Sequence, residues 1–418
     1  MEFFRRALGR ALPDPAYPGW LAAGLGLLCA ALSGPGQSFA LSFYLEPLMA
    51  EVGLSRLGIS TLYSAATLTA AFALPFIGQR ADRSSGGHYL GTVLLLMAAG
   101  MLLLAGTTNA WMLAAAFFAL RLLGQGAIGI GTLTLTVRWF QRHRGRAFAL
   151  VALGYAVGEV AFPWAILGLF DLVGWRGSLL VFAGSYTLVF APLVYRAGRD
   201  PTSAEIVRER AGKAGDEGTP SRPLSQALRT PVFYGMTLVQ TVSPLLITAL
   251  IFHQVGLFES LGRSAGAAAR SMVGFGTVAV VTTYLAGFLV ERMPERVAIS
   301  LALLPLAGGL LLLAFVPGWG PAPFVYGGLL GGSAGALKIA GALVWPAYYG
   351  PRHVGAIKGA VTTIRNGATA AGPPLAALLA GPGDRFEDVL MPFAAVTLAA
   401  AAAVLFLGPP AAPAVQDA

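Results

Sequence analysis

Charge is scarce in this chain. Only 11% of its 418 residues are Asp, Glu, Lys or Arg, and 56% are hydrophobic. An ordinary soluble domain has about 25% charged and roughly 45–50% apolar residues. A soluble protein of this length could not cover its surface with so few charges, so that class is excluded. Cysteine is nearly absent: Cys29 is the only one, which rules out an intramolecular disulfide and a cysteine metal cluster. Lysine is limited to Lys213, Lys338 and Lys358, so arginine carries most of the positive charge. No HExxH or P-loop sequence occurs, which argues against a HExxH metalloenzyme and against ATP hydrolysis by this chain. The run RLLGQGAIGIG superficially resembles a dinucleotide fingerprint. It lies inside an apolar stretch with no preceding strand, so that reading fails. Neither a metal nor a cofactor is expected.

What the chain does have is long apolar runs rich in small residues. Its 54 glycines suit membrane helices, where small residues let backbones approach closely. About 20 apolar residues cross a bilayer core. By that measure spans lie near 19–45, 56–78, 88–107, 110–139, 146–170 and 175–196, then near 231–256, 266–290, 296–316, 322–346, 355–380 and 388–408. The expected fold is therefore an all-α membrane protein of twelve transmembrane helices. Residues 1–196 form one six-helix half, 197–230 a polar central loop with a short amphipathic helix, and 231–418 the second half. The opening MEFFRRALGRALPDPAYPGW is basic, but the apolar stretch after it is too long for a signal peptide and reads as the first span.

The formal charge is +9, and its placement is more informative than its size. Arg5, Arg6 and Arg10 precede span 1, Arg80 and Arg83 follow span 2, and Arg142, Arg144 and Arg146 join spans 4 and 5. The central loop adds Arg199, Arg208, Arg210, Lys213, Arg222 and Arg229, and Arg292, Arg296 and Arg352 fall in later loops on the same side. The opposite loops carry the acids Glu46, Glu51, Asp171, Glu259, Asp384, Glu387 and Asp388. This is the distribution of cytoplasmic membrane loops, with both termini cytoplasmic, and not that of a nucleic-acid surface. The arginine-heavy usage suits a bacterial inner membrane, and a monomer is expected.

The two halves repeat. GQRADR after span 2 matches GFLVER after span 8, setting Asp82 beside Glu291 and Arg83 beside Arg292. TVRWFQRHRGRA after span 4 matches ALVWPAYYGPRHVGAIKG after span 10 at a similar offset of about 210 residues. Parallel repeats related by an axis along the membrane normal place substrate near the midplane, between the halves. These features resemble the major facilitator superfamily across essentially the whole chain. The family's span 2–3 signature is matched in part by Gly78-Gln79-Arg80-Ala81-Asp82-Arg83, and its span 4 signature by Arg121, Gly124, Gly126 and Gly129. Within it, GPGQSFALSFYLEPLMAEVGLSR, WFQRHRGRAFALVALGYAVG and Gly174-Trp175-Arg176 look like the monocarboxylate/oxalate–formate branch. The resemblance implies a gating role for Gly78, Asp82, Arg83 and Glu291 at the helix ends. The alternative is a topogenic charge pair with no conformational part.

Ionisable residues inside spans each cost roughly 2.5–3.5 kcal/mol on insertion scales and face a cavity or a partner. Four stand out: Arg121, Glu159, Lys338 and Arg365. Arg121 and Glu159 fall in the middle third of antiparallel spans and can pair, either as a static tie or as a proton site; burial and a cationic neighbour pull the carboxyl pKa in opposite directions. That leaves two cations. Counting inward from the 348–352 loop, Lys338 lies roughly 15 Å deep and Arg365 about 12–18 Å, and both suit an organic anion. The competing reading is a snorkelling lysine and an arginine bonded to helix carbonyls. Gln37, Ser38, Gln125, Gln240, Ser243, Thr248 and Asn366 supply further polar groups, beside a Gly34-Pro35-Gly36 bend. His253 is expected at a solvated outer end. Gly154 and Gly158 before Pro163 resemble an antiporter signature that Glu159 interrupts, so efflux does not follow from them.

These features predict a secondary active transporter of a small organic anion, mono- or dicarboxylate-like, driven by a proton or an exchanged anion. The lipid bilayer and the small-molecule substrate are its only expected partners. Proton-coupled efflux of amphipathic drugs is the alternative within transport, and a non-transporting membrane sensor is the alternative outside it.

Overall fold

The computed structural model describes residues 17–140, 143–205, 222–290, 292–350 and 353–409. Every regular element among them is helical. The chain divides into two compact units, Met1–Ser55 with Ala65–Gly215 and Arg56–Ser64 with Asp216–Ala418. The main helices in chain order are α1 (Gly19–Ala31), α2 (Arg56–Arg83), α3 (Gly86–Ala105), α4 (Ala110–Leu120), α5 (Ile128–Trp139), α6 (Arg144–Ser185) and α7 (Ala191–Ala197). They continue with α8 (Pro231–Phe252), α9 (Ala265–Val290), α10 (Glu295–Phe315), α11 (Ala322–Tyr349), α12 (Val354–Ala380) and α13 (Glu387–Ala403).

In the first unit, the bend expected at Gly34-Pro35-Gly36 is a full break. Pro35 has no N–H to continue α1, and the chain passes through a 3-10 turn, Gly34–Gly36, before Gln37 turns extended at φ −98°, ψ 151°. Helix resumes only in short pieces through Leu45–Val52. The break frees the Gly36 carbonyl, which accepts from Arg121 Nη1 at 2.9 Å, while Arg121 Nε donates to Thr67 Oγ1 at 3.1 Å. Arg121 is 3% exposed and opens a π-helical turn, Arg121–Ala127, between α4 and α5. Gly124 in that turn lets the two irregular segments touch: a Cβ there would stand 2.7 Å from Gly36 Cα.

Residues Gly145–Ala197 form one apolar run of 53 residues. Straight, it would reach about 80 Å at helical rise, over twice the ~30 Å hydrocarbon core, so it holds two spans. It turns at Gly174, whose φ of 69° and ψ of 175° lie in a region left essentially to glycine. The adjacent Arg176 secures the turn: Nη2 lies 2.9 Å from Glu51 Oε2, Nε donates to the Ala105 carbonyl at 3.0 Å, and the guanidinium sits 4.3 Å from the Trp175 ring centroid. Gly-Trp-Arg therefore has a local physical purpose. Gly154 and Gly158 likewise seat α6 on α1: a Cβ would stand 2.9 Å from Ala30 Cβ at the first and 2.6 Å from the Ala31 oxygen at the second.

The end of α2 is held by Arg138, which the sequence reading did not single out. Its guanidinium donates to the carbonyls of Ala81 (2.9 Å), Asp82 (2.8 Å) and Ser84 (2.7 Å) and to Asp200 Oδ1 (3.2 Å). Asp200 also accepts from the Gly86 N–H, at the start of α3, at 3.1 Å. In the central loop, Thr202 and Glu205 form a reciprocal capping box: Thr202 N donates to Glu205 Oε2 at 2.8 Å, and Glu205 N to Thr202 Oγ1 at 3.4 Å. The Arg199 guanidinium, followed by the Thr202 amide, holds the Glu205 carboxyl down at about 2. The amphipathic helix expected here falls largely on 206–221, outside the described residues.

In the second unit, α9 and α11 meet through a glycine stripe, Gly327, Gly331 and Gly335, lying against the backbone of Ser271, Phe275 and Ala279. At the far end of this unit Arg56 Nε lies 3.0 Å from Asp384 Oδ2, with the guanidinium 5.4 Å from the Phe386 ring centroid. His253 corrects the sequence expectation of a solvated position: it is 1% exposed. Its ring stacks on Phe386 at 4.7 Å, and Nε2 donates to the Pro373 carbonyl at 3.0 Å, with Ser60 Oγ at 3.2 Å. Sequence reading had no means of bringing Ser60 and Phe386 to this histidine.

Nine helices among the described residues are long and apolar enough to cross a membrane, which is consistent with twelve spans. The 145–197 run contains two, the first span is broken at Pro35, and α12 carries Lys358 and Arg365 in its apolar sequence. The protein is a multi-pass integral membrane protein.

Candidate functional site

The second unit carries an open cavity of about 410 Å³ lined by α8, α11 and α12, within the size range of small-molecule sites. Helical spacing produces it. Each helix contributes positions three and four residues apart, so each turns a single face inward. From α8 come Gln240, Ser243, Pro244, Ile247 and Thr248; α11 and α12 face them with Lys338 and Gly341, and with Lys358, Thr362 and Arg365.

Lys338 and Arg365, expected from sequence to serve one anion, line this one cavity with Gln240. Lys358 joins them. It lies seven residues before Arg365, two helical turns away on the same face, and that spacing was the available sequence signal. No acidic residue lines the cavity among the described residues, and among them none of the three cations has a carboxylate partner. Lys338 and Arg365 are exposed to the opening and Lys358 is half-buried, and three like charges on one pocket repel one another and attract an anion. Gln240 is 6% exposed, and its Nε2 has no hydrogen-bond partner among the described residues. Its position is set by Gly341, where any side chain would collide with the Gln240 amide. A buried donor left unsatisfied is costly, so this amide is available to an acceptor in the cavity. Trp345, Leu337 and Val361 supply apolar wall.

The other expected site residues lie elsewhere. Asn366 follows Arg365 but does not line the cavity. Gln37, Gln125, Arg121 and Glu159 belong to the first unit. Gln37 Nε2 donates to Ser33 Oγ at 3.3 Å, Gln125 is exposed, and Glu159 is half-buried on α6. Gly78 is half-buried, while Asp82 and Arg83 are exposed at the end of α2 and make no ion pair among the described residues. Glu291 lies outside the described residues.

Residues 26–261 match the family model described as Major Facilitator Superfamily. The chain is 27% identical over 231 residues to the MFS transporter asaE of Aspergillus flavus, an alignment covering 53% of this chain and 48% of that protein. The chain thus spans about half the length of the curated relative it matches. Among solved structures it resembles a bacterial homolog of the human lysosomal transporter Spinster in an inward-facing, occupied conformation. The TM-score is 0.74 and the identity 15%, over 94% of this chain and 97% of the other. The inward-facing, unoccupied form gives a TM-score of 0.67 at 16% identity, over 94% and 95%. At these identities the structures establish the fold. The apolar helical architecture, the family match and this shared fold together place the chain in the major facilitator superfamily, to which it belongs.

Proposed function

We propose that this transporter moves a small organic anion by alternating access, coupled to a proton or to an exchanged anion. The observation that carries this reading is the cavity that collects Lys338, Lys358 and Arg365 with no acidic lining residue among those described. Ammonium and guanidinium groups placed there would make charge-assisted hydrogen bonds to a carboxylate.

The test is counterflow in proteoliposomes with labelled acetate, lactate, pyruvate, formate, oxalate and succinate, wild type beside Lys338→Ala. One or more acids should accumulate, and accumulation should fall about ten-fold or more in the variant, as expected for a lost charged hydrogen bond. No exchange by folded protein, or exchange indifferent to the variant, would remove the anion reading and favour efflux of amphipathic compounds. pH-dependent exchange that survives in Glu159→Gln would take the proton role from that carboxylate.

Gating is assigned to Gly78, Asp82 and Arg83, with Glu291 as the repeat counterpart. Support comes from the exposed Asp82 and Arg83 side chains on a helix end whose backbone Arg138 already holds, which leaves both free to pair in another conformation. Asp82→Asn should slow counterflow several-fold and leave the ligand-induced thermal shift unchanged. An unaltered rate would reduce the pair to topogenic charge. The arginine distribution supports both termini on the cytoplasmic side of a bacterial inner membrane. An active alkaline phosphatase fused at the C-terminus would overturn that orientation.

A further inference from the structure

We infer that the cavity selects organic dianions whose two anionic groups are separated by an apolar spacer, with Lys338 and Arg365 receiving one group and Lys358 the other. This rests on the anion reading above and narrows it. The geometry comes from two helices joined at one end by the turn between Tyr349 and Val354. Measured from that end at helical rise, Lys338 on α11 and Arg365 on α12 both lie about 16 Å along their helices, and Lys358 only about 6 Å. The cations are therefore not one cluster. A pair sits deep and a single lysine sits about 10 Å nearer the turn.

What lies between these levels is uncharged. Gly341, Ala342, Val361 and Thr362 line the cavity there, at about 10–12 Å by the same count, with the Gln240 amide packed against Gly341. Trp345 is level with Lys358 and extends the apolar wall. A methylene chain matches that stretch, and a second charge placed midway would meet no cation.

Charge balance points the same way. Three cations without an acidic lining residue among those described carry more positive charge than a monoanion can offset. A dianion with separated charges sets one anionic group at each level and leaves a single positive charge. A compact dianion such as oxalate reaches only one of them.

The experiment uses the full chain in proteoliposomes, with labelled succinate, adipate and suberate beside butyrate, hexanoate and octanoate, and reads counterflow together with thermal shift in detergent. Wild type should show an optimum in dicarboxylate length and favour the best dicarboxylate over the monocarboxylate of equal length by about ten-fold or more. In Lys358→Gln that ratio should fall by about the same factor, and Lys358→Arg should retain it. A flat length series, or a ratio that Lys358→Gln leaves unchanged, would overturn this inference and leave the anion carrier standing. Exchange of no acid of either kind would overturn both.

Discussion

Replacing Gly331 with valine should prevent the second unit from folding, whereas Gly168→Ala on α6 should be tolerated. On α11, Gly327, Gly331 and Gly335 recur every four residues and face carbonyls that recur every four residues on α9, those of Ser271, Phe275 and Ala279. A Cβ at Gly331 would lie against the Phe275 oxygen and 2.8 Å from its carbonyl carbon. Both obstructing atoms are backbone, so no rotamer change relieves the clash, and the helices must separate along their length. Overpacking a close-packed interior costs typically 1–3 kcal/mol, and a rigid backbone obstacle puts valine at or above the upper end. Because lipid tails are as apolar as leucine, this close approach, and not solvent exclusion, holds the helices together. Gly168 is exposed, and nothing stands within 4 Å of a Cβ there. Size-exclusion profiles in detergent would check both variants. A monodisperse Gly331→Val protein of wild-type thermal stability would show that the interface yields.

Arg365→Met should weaken binding of the transported acid by about ten- to a hundred-fold, matching the roughly 1.5–3 kcal/mol of a hydrogen bond to a charged group. Arg365→Lys should recover only part of it. The lysine keeps the charge but lacks the planar fork that meets both carboxylate oxygens. Arg365 lines the cavity and has no carboxylate partner among the described residues, so methionine there removes a group available to ligand without orphaning a buried acid. Isothermal titration of purified protein with the best acid from the counterflow screen separates the cases. Equal affinity in Met and wild type would show that Arg365 faces away from the ligand. Equal loss in Lys and Met would show that geometry, beyond charge, governs the site.

Sequence by itself determined the membrane class and the approximate helical spans, and it placed Lys338 and Arg365 inside them. The reason is that each follows from composition or local spacing: too little charge for a soluble surface, apolar runs of bilayer length, and cations stranded within them. It also located the break at Gly34-Pro35-Gly36, since a missing N–H is a local property. Which distant groups meet was decided by the tertiary structure. Lys358 was not among the candidates from sequence; the rotation of α12 brings it onto the same face as Arg365 and into one cavity with Lys338 and Gln240. His253 looked solvated until Ser60 and Phe386 enclosed it. Arg138, and not the Asp82 or Arg83 side chain, caps the end of α2, because three carbonyls and Asp200 converge on it from separate segments. Helical period places a side chain on a face. Only packing decides which face meets which, since that depends on the rotation of each helix about its axis, and here close glycine contacts set that rotation between backbones far apart in sequence.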